Sequence, residues 1–193
     1  AGCKYLQIDE PVMARKVDLS LKYGLRHLDL CFSGVKSAKE QQLESKQQTE
    51  IKRIVHICCG YPNYLDEKNY PKADQSSYFW LAPILNRSLM IDAVSIEDTH
   101  RRNDLTLFEM FPETEIILGV INISSTHIES IAEIKKHISE ILPLIKNPQL
   151  LSIAPDCGLG MLPMNICHKK LKNMIAAVME IRDEYKLKLL KNR

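Results

Sequence analysis

The chain has 193 residues, 45% of them hydrophobic and 26% charged, with a formal net charge of +2. That length suits one sizeable domain, and the balance is ordinary for a globular protein. Near-neutral charge offers no basic surface for nucleic acid or membrane, no apolar run nears the roughly 20 residues that span a bilayer, and no secretion signal opens the sequence. From the N-terminus, a first strand is expected at Tyr5–Asp9 and an amphipathic helix over Val17–Phe32, with Leu19, Tyr23, Leu25, His27, Leu28 and Cys31 on and around its apolar face. Residues 36–50, rich in Lys, Glu, Gln and Ser, read as a solvated loop or the polar end of a helix. A second strand at Arg53–Cys58 precedes a loop from Gly60 to Asp74 and a helix over Gln75–Arg87. A third strand at Asp92–Ile96 leads to a helix near Asp104–Met110, and a fourth, rich in β-branched residues, covers Glu115–Asn122. The clearest helix is Ile128–Ile145, with isoleucines at helical spacing, followed by a fifth strand at Leu150–Ala154 and a last helix from Pro163 to Leu189.

Strands alternating with helices indicate parallel βαβ units, whose sheet is covered on both faces. An open doubly wound sheet and a barrel are the two candidates. Five units are too few to close a (β/α)8 barrel. The first residue is not Met and a strand begins almost at once, so the N-terminus reads as cut.

The six cysteines, Cys3, Cys31, Cys58, Cys59, Cys157 and Cys167, are few and unevenly spaced. They do not form a disulfide framework, and a reducing, cytoplasmic setting is expected. Cys3, Cys31 and Cys167 read as packing residues, and Cys59 should point away from Cys58.

The chemistry stands at one end of the strands. The first is followed by Asp9-Glu10-Pro11, the second ends in His56-Ile57-Cys58-Cys59-Gly60 and the third in Ile96-Glu97-Asp98. The fourth ends in Asn122-Ile123-Ser124-Ser125 and the fifth in Pro155-Asp156-Cys157-Gly158. In a (β/α)8 barrel that end is the active-site face. His56 and Cys58 are two apart on a strand and so share a face. With Glu97 and Cys157 arriving from other strand ends, two thiolates, an imidazole and a carboxylate make a tetrahedral set that suits zinc, Zn2+. The plain alternative is core packing for His56 and the cysteines and a surface position for Glu97. His100-Arg101-Arg102 reads as a solvated loop, with a grip on an anionic substrate tail as the alternative. His27, His137 and His168 fall on helices as surface or core residues.

Gln7-Ile8-Asp9-Glu10-Pro11, His56-Ile57-Cys58, Ile96-Glu97 and Pro155-Asp156-Cys157-Gly158-Leu159, in that order, resemble the catalytic domain of cobalamin-independent methionine synthase and its short relatives. The resemblance covers nearly the whole chain. It implies an α/β, TIM-barrel fold of (β/α)8 type with only about the last five βα units present, in one partial-barrel domain over residues 1–193. It implies zinc ligands His56, Cys58, Glu97 and Cys157, with Asp9 holding the amino group of homocysteine. The implied reaction is that of an S-methyltransferase moving a methyl group from 5-methyltetrahydrofolate polyglutamate to the homocysteine thiol, giving methionine.

The departures from the family pattern lie on the methyl-donor side. Ser124 stands where the large enzymes carry a His in an Asp-x-His-Ser setting, the proton donor; His127 is three residues further on. Arg15 stands where those enzymes carry an acidic residue against the pteridine. The sequence therefore leaves the catalytic proton donor unknown, and a second methyl donor, such as a methylcorrinoid protein, remains open. So does an inactive partial barrel that binds zinc or a partner. Two open sheet edges call for the missing barrel segment or self-association, and the chain by itself is expected to be inactive or weakly active.

Overall fold

The computed structural model describes residues 3–35 and 51–191. The polar stretch 36–50 lies outside the described residues. Five strands, β1 (Tyr5–Glu10), β2 (Lys52–Ile57), β3 (Ala93–Ile96), β4 (Glu115–Gly119) and β5 (Leu151–Ala154), form one sheet in the order β1-β2-β3-β4-β5. Every neighbouring pair is parallel. A doubly wound sheet reverses its strand order partway; this one never does, and a monotonic parallel order is that of (β/α)8 barrels. The fold is thus α/β of the TIM-barrel type, with five consecutive βα units among the described residues.

The two sheet faces differ in chemistry. Val55, Ile57, Val94, Ile96, Ile116 and Leu118 are fully buried in the main core. The opposite face carries a row set by register: Asp9 pairs with His56 and His56 with Ser95. Because side chains alternate along a strand, the residues two positions on, Cys58 and Glu97, belong to that same face. At the other end of the strands, buried Arg53 is tied to Asp92 through its backbone N–H (2.8 Å) and to the carbonyl of Leu89 (2.6 Å).

The helices obey their sequence signals with instructive exceptions. The expected helix Val17–Phe32 is helical throughout but in three parts: α1 (Val17–Leu19), a π-helical turn (Ser20–Gly24) and α2 (Leu25–Phe32). The π turn winds in an extra residue and rotates the α2 segment, so Leu28 and Phe32 are buried while Leu19 and Tyr23 face outward. α3 (Ser77–Arg87) tolerates Pro83 in its interior. The segment Leu105–Met110 is a 3-10 helix rather than an α-helix, opened by Asp104, whose side chain accepts from the N–H of Thr106. α4 (Ile131–Ile141) is opened by a capping box in which Ser130 Oγ accepts from Glu133 N–H and Glu133 accepts from Ser130 N–H. Ile134, Ile138 and Ile141 form its buried stripe. Residues Leu142–Leu144 then tighten into a 3-10 turn where Pro143 interrupts the expected longer helix. α5 (Met164–Lys191) packs against α4. No helix among the described residues is long and apolar enough to cross a membrane.

β4 ends at Gly119, three residues short of expectation. A Cβ at Gly119 would lie 2.2 Å from Asp156 Oδ1, so the carboxylate sits where a side chain would otherwise stand. Beyond it, Val120 N–H still reaches Ala154 O (2.9 Å) and Asp156 N–H reaches Ile121 O (3.0 Å), outside regular pairing.

Candidate metal centre

His56, Cys58, Glu97 and Cys157 converge at the C-terminal ends of β2, β3 and β5. One donor atom from each lies within 4.8 Å of all the others. In a tetrahedral site with metal–ligand bonds of about 2.0–2.3 Å, donors stand roughly 3–4 Å apart, so a small inward movement closes the set. His56 Nε2 is already 3.6 Å from Glu97 Oε1.

Two of the donors are held from behind. His56 Nδ1 is 2.9 Å from Ser95 Oγ, its neighbour in the sheet row. With Nδ1 protonated and donating to that hydroxyl, Nε2 keeps its lone pair free, as a metal-ligating imidazole requires. Tyr78 of α3, fully buried, donates from its hydroxyl to Ile57 O (2.8 Å) and accepts from Glu97 N–H (3.1 Å), locking the ends of β2 and β3 together. Asn103 Nδ2 donates to Glu97 O (2.9 Å). Gly60 turns the chain after Cys58 and Cys59 at φ 150, and Pro71 O would meet a Cβ there at 2.4 Å, so only glycine fits.

The electrostatics favour a cation. The mutual influence of the two thiols favours ionising one of them before the other. It is the largest effect holding Cys157 below the ordinary thiol range, and it pushes Cys58 up, with burial adding to the rise. Burial opposes a charged His56, but the Cys58 hydrogen bond and the charges of Glu97, Cys58 and Asp9 outweigh it and raise its pKa. His56 Nε2, Glu97 Oε1 and Glu97 Oε2 are buried with no hydrogen-bond partner. Glu97 Oε2 and the equally unbonded His100 Nε2 face each other at ion-pair distance (3.1 Å), whereas His56 Nε2 and Glu97 Oε1 face the donor cluster, and buried polar atoms without partners are costly, a cost that a bound cation there would relieve. The donor set, two sulfurs, an imidazole nitrogen and a carboxylate, fits zinc.

The other expected site residues lie around this cluster or away from it. Asp9 is exposed on the same face, in the row with His56, and Gln7 Nε2 donates to it (2.7 Å). Ser124 is buried, and its hydroxyl donates to Asn122 Oδ1 (2.7 Å). His127 is 62% exposed and pairs with Glu133 Oε1 (3.1 Å), directed to the start of α4. Arg15 donates to Pro71 O (3.2 Å). Cys59 is buried, its sulfur accepting from Arg101, and is not one of the four clustered donors. Cys3, ahead of β1, and Cys31, on α2, are exposed rather than packed.

The main correction concerns His100, neither a solvated loop residue nor a surface grip. Its side chain is 3% exposed, with Nε2 3.1 Å from Glu97 Oε2 and Nδ1 2.7 Å from Asp156 Oδ2. Burial alone would lower its pKa, but the bonds to Asp156 and Glu97 lift it to about 9. The available signals were its spacing of three from Glu97 and the position of Asp156 beside Cys157. His137 is likewise buried, paired with Asp98.

The chain is similar to known proteins in sequence and in fold. The family profile described as "Cobalamin-independent synthase, Catalytic domain" matches residues 1–180. A methionine synthase of Sulfolobus acidocaldarius is 28% identical over 189 residues, which cover 97% of this chain and 45% of that protein. A methionine synthase of Pyrococcus horikoshii is 29% identical over 184 residues, covering 95% and 45%. The chain thus spans about half the length of the curated relatives it matches. The solved structure of a B12-independent methionine synthase from Shewanella sp. W3-18-1, in complex with selenomethionine, superposes with a TM-score of 0.77 at 21% identity. It covers 95% of this chain and 50% of that one, a likeness of fold. By sequence the chain belongs to the cobalamin-independent synthase catalytic-domain family.

Proposed function

We propose that His56, Cys58, Glu97 and Cys157 hold zinc, and that the chain carries the thiol-activating part of methionine synthesis, in which homocysteine takes a methyl group on sulfur. The observation that carries this reading is the convergence of four donors around buried nitrogen and oxygen atoms that lack partners. Bound zinc lowers the pKa of a coordinated thiol and so supplies a thiolate nucleophile near neutral pH. The chain's own residues do the rest. Ser95 fixes the His56 ring, while Tyr78 and Asn103 fix the Glu97 backbone. Asp9, exposed in the row with His56, is the carboxylate we assign to the substrate ammonium group. The new sulfur–carbon bond forms as the donor's bond to its methyl group breaks, and the electron pair leaves with the donor.

When the donor is 5-methyltetrahydrofolate polyglutamate, its nitrogen is a poor leaving group and needs a proton. Ser124 Oγ is committed to Asn122, and His127 is turned to Glu133. These commitments favour a second reading in which the same thiol chemistry serves a donor that leaves without protonation, such as a methylcorrinoid protein.

The test separates thiol activation from donor choice. Zinc-loaded chain is mixed with homocysteine and a simple methyl electrophile such as trimethylsulfonium, and methionine is quantified by mass spectrometry. Methionine formation should rise above the chain-free rate and fall back to it in His56→Ala and Cys157→Ser. A zinc-loaded chain that gives no acceleration would refute thiol activation. Methyl-folate and a methylcorrinoid are then compared as donors.

A further inference from the structure

Asp156 is fully buried and lies one residue before Cys157. Its Oδ1 accepts from the N–H groups of Asp98 and Thr99, both at 3.0 Å, and its Oδ2 from the N–H of His100 at 2.9 Å. Those three bonds already fasten residues 98–100 to the end of β5. The His100 ring adds a fourth through Nδ1 (2.7 Å) and extends its other nitrogen to 3.1 Å from Glu97 Oε2. The ring cannot drift. Tyr70 lies against it in a tilted stack, centroids 6.2 Å apart, and Lys72 Nζ donates to the His100 carbonyl (2.9 Å). The space for Asp156 exists because residue 119 is glycine.

We propose that His100, seated on Asp156, is a positioning residue for the metal centre: it forms an ion pair with Glu97 at Oε2, which leaves Oε1 as the oxygen turned to the ion. The inference rests on the metal reading above and deepens it. Carboxylates bind metals through one oxygen or two, and a buried carboxylate with one oxygen in an ion pair with an imidazole is biased to bind through the other. The Oε1 atom faces His56 Nε2 at 3.6 Å, on the donor side, while Oε2 faces His100. One imidazole thereby links the ligand arm of β3 to that of β5. It also gives the Glu97 charge a buried partner, and an unpartnered buried charge is costly.

The bland role for His100 is to anchor its loop on Asp156. Two substitutions distinguish the roles, because asparagine can replace only Nδ1 and glutamine only Nε2. Co2+ is titrated into the full chain and into His100→Asn, His100→Gln and, as a surface control, His127→Ala. Affinity is read by chelator competition, coordination by visible absorption, and folding by circular dichroism. His100→Asn should fold and still bind one Co2+, but about 10–100-fold more weakly. Its visible band should weaken as Glu97 binds with both oxygens. His100→Gln should recover most of the affinity, and His127→Ala should match the unsubstituted chain. The reverse order, with Asn tolerated and Gln impaired, would make His100 a loop anchor and overturn the inference. So would an unfolded His100→Asn, or unchanged affinity and spectra in both variants. Failure of the unsubstituted chain itself to bind Co2+ would instead refute the metal reading on which the inference stands.

Discussion

The centre of the sheet and its two edges are built differently. β2, β3 and β4 are buried along almost their whole length, whereas β1 is largely exposed and β5 is half-buried throughout. The candidate metal centre straddles this divide. His56, Cys58 and Glu97 come from the packed centre, where neighbouring strands and Tyr78 fix them. Cys157 and Asp9 come from the edges. Cys157 therefore depends less on strand packing than on the bonds Asp156 makes back to residues 98–100. A site placed at an edge needs its own fastening, and the carboxylate beside the ligand supplies it.

Truncating the two regions should expose the difference. Leu118, fully buried on β4, should cost about 2–5 kcal/mol when replaced by alanine, because a tightly packed site leaves a cavity. Leu151, half-buried on β5, should cost about half as much, since its surroundings are open and can relax. Urea unfolding of Leu118→Ala and Leu151→Ala measures both, and equal costs would break the contrast. A smaller effect sharpens it. Ser130→Ala removes the cap of α4, away from the donors, and should cost about 1 kcal/mol. The same unfolding curves read that loss, while zinc affinity should stay unchanged. A drop in affinity would mean that the centre senses helices well outside its own strands.

The clustering of the four candidate donors was legible in the sequence because strand periodicity is short-range information. His56 and Cys58 share a face by their spacing of two, and Glu97 and Cys157 stand where strands end. Strand existence was equally legible, since Val, Ile and Leu runs bounded by polar ends mark buried parallel strands. His100 was not legible. Its neighbours Arg101 and Arg102 make the segment look solvated, and its partners Glu97 and Asp156 are brought together only by the pairing of β3, β4 and β5. The π turn at Ser20–Gly24 was hidden for a related reason: a helical spacing of apolar residues does not reveal one inserted residue. The early end of β4 at Gly119 depends on Asp156, which is 37 positions away and outside any local pattern.

The central claim is that four residues from three strands form one zinc site, and equilibrium dialysis of the folded chain against zinc tests it most directly. About one zinc should bind per chain, with affinity falling by roughly a hundredfold or more in each of His56→Ala, Cys58→Ser and Cys157→Ser. A folded chain that takes up no zinc, or holds it equally well in all three variants, would contradict the account.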